Sequence, residues 1–288
     1  MTKGAKIGVI GGTGLYEIEG MVGLEEVKVH TPFGDPSDVI GIGSLEGVNI
    51  AFLPRHGKGH RIAPNELPQR ANIWALKSLG VEWIIAVNSA GSFKQEVRPR
   101  ELVIPDQVID RTRGRINTFF GNGVVAHLTY AKPFCPVLSG ILFQAAQEAG
   151  ARVHKGGTFV AMEGPQFSTV AESRLYKSWG ADIIGMTVLP EAKLAREAEI
   201  CYATVACVTD YDSWHDDLGE VRIEEIIEIL SQNVDRAKQI IRIAAMNVPE
   251  IRECNCINAL ENAIVTDPAA IPDEVRRDLD IIIGKYIK

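Results

Sequence analysis

Two carboxylates two residues apart, Asp210 and Asp212, stand where an apolar run ends, in Cys207-Val208-Thr209-Asp210-Tyr211-Asp212. The run 205–208 reads as a buried strand, and in an open α/β sheet ligands bind beyond the carboxyl ends of the strands. Acids placed there accept hydrogen bonds from the N–H groups of a ligand. One of them becomes a proton donor when burial raises its pKa.

Four further stretches place polar groups at the ends of apolar runs. Gly11-Gly12-Thr13-Gly14 lets the backbone approach an anion and offers the Thr13 hydroxyl. It is neither a Walker loop, lacking Gly-Lys-Ser/Thr, nor a dinucleotide fingerprint, since position 17 is Glu17. Arg55-His56-Gly57, with His60 close behind, offers a planar guanidinium fork and an imidazole donor suited to phosphate oxygens. Asn88-Ser89-Ala90-Gly91-Ser92 can wrap a phosphate or a sugar, and it is not a Gly-x-Ser-x-Gly nucleophile elbow. Met162-Glu163-Gly164-Pro165-Gln166-Phe167-Ser168 brings an aromatic ring able to stack on a flat heterocycle, with Ser168 placed to cap the following helix, and Gly185-Met186-Thr187 ends another run. One set (Thr13, Arg55, His56, Ser89, Thr187) suits an anion. The other (Phe167, Asp210, Asp212) suits a nitrogen-rich ring. An enzyme that brings phosphate to a nucleoside needs both.

The elements that must position these groups alternate. Apolar, β-branched runs at 7–10, 50–53, 83–87, 102–104, 158–162, 182–186 and 202–208 read as strands covered on both faces. Helical patterns fall at 66–79, 136–149, 168–179, 191–199 and 221–246. The last carries Ile223, Ile226, Ile227, Leu230, Val234, Ala237 and Ile241 on one face. The alternation implies βαβ units and a mostly parallel sheet. Beyond Met246 an appendage ends in a helix with Val275, Leu279, Ile282, Ile283 and Tyr286 on one side.

The 288 residues are 46% hydrophobic and 23% charged, an ordinary globular composition. No apolar run is long enough to span a bilayer, and the first strand begins too early for a signal peptide, so a cytoplasmic protein is expected. A formal net charge of −7 argues against nucleic acid as a partner. The five cysteines contain no C-x2-C pair and so no zinc spacing, and no metal site is expected. Cys135, Cys201 and Cys207 read as small core residues, while Cys254-Asn255-Cys256 reads as free thiols or as a stabilising disulfide.

Gly11-Gly12-Thr13-Gly14-Leu15, Thr31-Pro32-Phe33-Gly34, Arg55-His56-Gly57, the stretch from Ala71 to Leu76, Glu163-Gly164-Pro165, Phe167-Ser168 and Thr209-Asp210-Tyr211-Asp212 together resemble the 5′-methylthioadenosine phosphorylase family, within the trimeric purine nucleoside phosphorylases. The resemblance runs from about Lys6 to Met246, and the C-terminal Cys254-x-Cys256 is more similar to archaeal than to animal members. It implies an α/β fold, a single phosphorylase domain over 1–248 with a mixed, partly barrel-like sheet flanked by helices, followed by a C-terminal extension over 249–288. It implies phosphorolysis of methylthioadenosine to adenine and 5-methylthioribose 1-phosphate, with phosphate as co-substrate and no cofactor, in a homotrimer or a hexamer of two trimers. By the same resemblance, Thr13, Arg55, His56, Asn88, Ser89 and Thr187 hold phosphate. Met186 packs on the ribose and Phe167 on the purine, Asp210 faces N7 and the 6-amino group with Asp212 behind it, and His127 reaches in from a neighbouring subunit.

Ser168 and Ile223 are the expected specificity positions. Ile223 aligns where ordinary purine nucleoside phosphorylases place a His for the 5′-hydroxyl. Burying a methylthio group contributes about 1–2 kcal/mol, whereas burying an unpaired hydroxyl costs about 1–3 kcal/mol. Two departures from the family stand out: Asn88-Ser89-Ala90 where animal members have Thr-Ala-Cys, and Gly185 where an Asn precedes the Met. A Cys135–Cys201 disulfide is an option that archaeal relatives suggest. The alternatives are a 6-oxopurine or methylthioinosine phosphorylase on the same scaffold and a catalytically inactive nucleoside sensor. A dinucleotide-dependent dehydrogenase fails on the missing glycine.

Overall fold

The computed structural model describes residues 4–12, 15, 18–215 and 223–287, with the side chains of 223–228 and 230–232 outside the description. Seven strands fall where the apolar runs predict them: β1 (Ile7–Gly11), β4 (Val48–Pro54), β5 (Trp83–Ser92), β6 (Leu102–Ile104), β9 (Thr158–Met162), β10 (Ile183–Gly185) and β11 (Cys201–Asp210). Four more join them, β2 (Val22–Val27), β3 (Ile40–Leu45), β7 (Gln107–Arg111) and β8 (Val153–Lys155). The helices are α1 (Gln69–Ser78), α2 (Pro136–Glu148), α3 (Val170–Ser178), α4 (Val188–Glu197), α5 (Ile223–Asn247) and α6 (Asp273–Ile283).

All eleven strands share one sheet. The sheet is mixed rather than mostly parallel: β1–β4, β1–β5, β5–β11, β9–β10, β7–β9 and β6–β8 run parallel, while β2–β3, β3–β4, β5–β10 and β6–β11 run antiparallel. The hairpins come from β2 and β3, which the apolar runs do not reveal.

Side chains of the central strands alternate between two apolar clusters, as period-2 geometry requires. On β1, β5 and β11, Val9, Ile85 and Val205 face one cluster, which α2 and α5 cover through Leu138, Leu142, Ile240 and Ile241. Ile10, Ile84 and Val208 face the other, which α1, α4 and α6 cover through Ile73, Leu76, Leu194 and Leu279. Helices on both faces explain why these strands read as unbroken apolar runs.

The site forms where the sheet forks. β1 accompanies β5 as far as the pair Ile10↔Ala86. On the same side β10 joins only at Gly91 and Ser92. Between Ala86 and Gly91 that edge of β5 has no strand partner among the described residues, and Asn88-Ser89-Ala90 occupies the gap. On its other side β5 stays paired with β11 up to Asp210↔Gly91, with an irregularity after Val208.

The C-terminal stretch packs on its own chain. Leu260, Ala263, Ile271, Leu279, Ile282 and Ile283 are buried in the same cluster as the sheet, with Val275 and Tyr286 against it. We expect Leu279→Ala, at a residue 2% exposed, to lower unfolding free energy by roughly 2–5 kcal/mol in urea denaturation.

Candidate active site

Arg55, on the turn after β4, is buried, and four of its five N–H donors are already engaged. Nε and one Nη2 hydrogen go to Glu191 at 2.9 and 3.1 Å, Nη1 to the Val87 carbonyl at 2.8 Å, and Nη2 also to the Ile10 carbonyl at 3.2 Å. Glu191 takes a further bond from the Tyr202 hydroxyl at 2.7 Å. Burial works against the guanidinium charge, but Glu191 outweighs it and holds the pKa above the ordinary value. The fork expected to clasp phosphate is thus bound to a buried carboxylate, and one Nη1 hydrogen is left for an anion. Its structural work is to tie the ends of β1 and β5 together across the fork.

His56 differs from expectation in the same way. Its Nδ1 bonds the Ile62 carbonyl at 2.8 Å, which places the proton on Nδ1 and the lone pair on Nε2. Burial, with the Arg55 and His60 charges adding to it, pushes the imidazole down to about 4. At neutral pH His56 is therefore an acceptor, suited to a phosphate that still carries a hydroxyl. His60 stacks on it with centroids 4.2 Å apart.

Asn88, Thr204 and Thr187 form a buried row. The Thr204 hydroxyl donates to Asn88 Oδ1 at 2.6 Å, and Asn88 Nδ2 donates to Thr187 Oγ1 at 2.7 Å. This polarity fixes the last member: Thr187 accepts from Asn88, so its own hydroxyl hydrogen is free to donate. Thr187 directly precedes α4, whose first turn is broken by extended backbone at Leu189 (φ −118°, ψ 142°), so the regular helix begins only at Pro190. Ser89 lies exposed in the gap of the fork. A Cβ on Gly185 would stand 2.7 Å from Phe159 Cζ and 2.9 Å from the Ser89 carbonyl, so the glycine here is a steric requirement of this packing.

The two acids close the other end. Asp210 accepts from the Thr209 hydroxyl at 2.7 Å and from the Asp212 N–H at 2.8 Å. Burial nevertheless raises its pKa. Asp212 is 6% exposed, has a left-handed φ of 48°, and leaves Oδ2 without a hydrogen bond. The Ser173 and Ser168 hydroxyls lie beside the carboxyl and favour its charged form. Burial, reinforced by the Asp210 charge, pushes Asp212 up to about 6. Such close packing needs Gly91, since a Cβ there would lie 2.9 Å from Asp210 Oδ1.

The remaining expected residues are placed less tightly. Phe167 is 43% exposed. Ser168 is buried but does not cap α3: Thr169 does, accepting from the Glu172 N–H while Glu172 reaches back. Met186 is half-buried, with its sulfur against Gly164. His127 is exposed on a loop whose main chain bonds Ala263 at 2.8 Å. Thr13, Gly14, Val221 and the side chains of Ile223, Ile226, Ile227 and Leu230 lie outside the described residues.

Sequence reasoning missed Arg115. Its Nε meets Glu163 at 3.1 Å, and Nη1 meets the Met186 and Leu189 carbonyls at 2.6 and 2.8 Å, with Nη2 against the Glu163 carbonyl. One side chain thereby sets the loop before Phe167 against the turn that carries Met186 and Thr187. Nothing in a polar run of arginines distinguishes it. Glu191 was hidden likewise, reading as an ordinary residue of α4.

The site thus joins a buried polar row across β5, β11 and the turn after β10 to two buried acids at the end of β11, on a fold that the phosphorylase class shares. Residues 6–245 match the phosphorylase superfamily, and the chain belongs to it. Within that family its full length is similar to S-methyl-5′-thioadenosine phosphorylases. The Geobacter sulfurreducens enzyme is 57% identical over 98% of this chain and 99% of its own, and that of Chloroflexus aurantiacus is 55% identical over 98% of each. Among solved structures, a methylthioadenosine phosphorylase from an antarctic soil metagenomic library superposes with a TM-score of 0.93 at 47% identity, covering 97% of this chain and 99% of that one. The Schistosoma mansoni methylthioadenosine phosphorylase in complex with tubercidin gives 0.82 at 37%, covering 89% and 96%. No helix among the described residues is long and apolar enough to cross a membrane.

The raised Asp212 carboxyl has a consequence for stability. Its folded-state pKa, about 6, lies above the ordinary 3.8, so the native state holds the proton more tightly. That contribution is complete below pH 3.8 and is lost as pH rises through 6. Between pH 4 and pH 7 we expect the parent to lose roughly 2–3 kcal/mol of unfolding free energy relative to Asp212→Asn, read from parallel urea titrations.

Proposed function

We propose that this chain cleaves the N-glycosidic bond of 5′-methylthioadenosine with inorganic phosphate, giving adenine and 5-methylthioribose 1-phosphate. The observation that carries the reading is the spacing of two unlike groups across paired strands. Asn88 lies three residues before Gly91, the partner of Asp210. Three residues of strand span about 10 Å, which suits a ligand with phosphate at one end and a purine at the other.

In this reading phosphate sits in the fork against the Thr187 hydroxyl, Ser89 and the free Arg55 hydrogen, and Thr13 is a further phosphate ligand. Neutral His56 accepts the phosphate's own hydroxyl. A phosphate oxygen forms the new bond to C1′ while the C1′–N9 bond breaks and its electron pair moves into the purine. Adenine leaves poorly as an anion, so N7 must take a proton, and a buried acid with a raised pKa supplies it. Asp210 and Asp212 together hold that proton. One of them in the neutral form donates at N7, and the ionised form accepts from the 6-amino group. The negative phosphate offsets positive charge on the ribosyl group in the transition state.

Phe167 covers the purine face, and Met186 packs on the ribose. Ile223 and Ser168 set preference at the sugar and the base, and His127 reaches the site of a neighbouring copy in a homotrimer or hexamer. The reaction uses phosphate as co-substrate, with no organic cofactor and no catalytic metal, and a cytoplasmic setting fits it.

Adenine release from methylthioadenosine should require added phosphate, and Asp210→Asn should lower kcat by roughly 10²–10⁴-fold at neutral pH. Release without phosphate, or a parent rate in the variant, overturns the mechanism. Faster cleavage of methylthioinosine moves the assignment to a 6-oxopurine.

A further inference from the structure

Four of the five cysteines, read from sequence as having no metal spacing, meet in space. The sulfurs of Cys135, Cys201, Cys254 and Cys256 all lie within 4.8 Å of one another, with those of Cys201 and Cys254 3.1 Å apart. They come from three separate places in the chain. Cys135 caps the start of α2, Cys201 opens β11, and Cys254 and Cys256 bracket the entry to a short 3-10 turn in the C-terminal stretch. We infer that these four thiols form a mononuclear tetrathiolate metal site, with zinc as its ion.

The size and chemistry of the cluster carry the assignment. Four thiolates around one zinc at about 2.3 Å stand at the corners of a tetrahedron whose edges are about 3.8 Å. The sulfur separations here, 3.1 Å for Cys201 and Cys254 and none above 4.8 Å, bracket that edge length. An iron–sulfur cluster needs its cysteines farther apart, because the inorganic core sits between them. Two disulfides would draw the sulfurs together in pairs to about 2.05 Å and leave no common centre.

The surroundings suit a charged thiolate centre as well. Cys135 sits at a helix N-terminus, where the helix dipole favours an anionic sulfur. Cys135, Cys201 and Cys256 are buried, in an apolar shell that includes Leu138, Leu142 and Ala245. Cys254 is only half-buried, which leaves a path for the ion. Binding replaces the thiol protons, which leave to solvent, so affinity rises with pH. All-sulfur, closed coordination is that of a structural zinc, with no open position for water.

The ion would act on architecture. Cys201 and Asp210 stand at opposite ends of β11, nine residues or about 30 Å apart, so the metal lies far from the acids. It would fasten the C-terminal stretch to the first residues of α2 and β11. From there the chain runs to Leu260, whose N–H bonds Glu199 at 3.0 Å, and to Ala263, which pairs with the loop of His127.

The test uses the full chain, purified with reductant and without chelator. Elemental analysis should find about one zinc per chain, released by a mercurial thiol reagent, and Cys254→Ser/Cys256→Ser should lose it while keeping kcat within twofold. Should that variant not fold, cobalt(II) titration of the metal-free parent gives an independent reading. Intense visible bands of tetrahedral thiolate coordination saturate at about one equivalent and vanish on adding zinc. Pale octahedral cobalt, zinc content unchanged in the double variant, or reduced protein that binds no zinc and whose oxidised form maps to cysteine–cysteine links each overturns the assignment.

Discussion

Two strands that run parallel and in register hold the halves of the site at a fixed separation. β5 and β11 pair from Trp83↔Cys201 to Gly91↔Asp210, under helices on both faces. Several of the site's groups hang on that seam: Asn88 and Ser89 on one strand, Asp210 at the end of the other with Asp212 just beyond it, and Thr204 crossing between them to orient Asn88. A strand slip of one residue would exchange the faces of every side chain and dissolve both the polar row and the apolar clusters. The site's accuracy is therefore inherited from the core.

Buried charge in such a core must be answered. Arg55 and Glu191 are 2% and 0% exposed, and each has its partners in hand. Removing one member of a buried pair is generally far more destabilising than the pair is stabilising. That asymmetry makes Glu191, which touches neither end of the proposed ligand, as constrained as the residues that do. The acids are treated in the opposite way. Asp212 is buried beside a second carboxylate, and desolvation together with the Asp210 charge outweighs the neighbouring Ser173 and Ser168 hydroxyls and raises its pKa.

How much of this the chain discloses depends on how each part is buried. Central strands and every helix are legible because one or both faces are apolar over their length. β2 is exposed almost throughout, β7 is largely so, and β8 has three residues, so none leaves a periodic trace. In the site, residue types point to anion and base chemistry, but partners do not show. Arg55 reads as a free fork because Glu191 is 136 positions away. His56 reads as a donor because the Ile62 carbonyl that takes its proton has no side-chain identity. Spacing rules for metal ligands look along the chain, and the cysteines converge only through the sheet.

The fork also divides the sheet mechanically. β10 is joined to β5 through Ser92 and Gly91 alone, and β9, β7 and the loop that bears Phe167 continue outward from β10. A seam of two residue pairs resists twisting far less than the long β5–β11 seam beside it. The loop that bears Phe167 is tied back to the acids all the same, because the Ser213 hydroxyl, one residue beyond Asp212, donates to the Ser168 carbonyl at 2.8 Å.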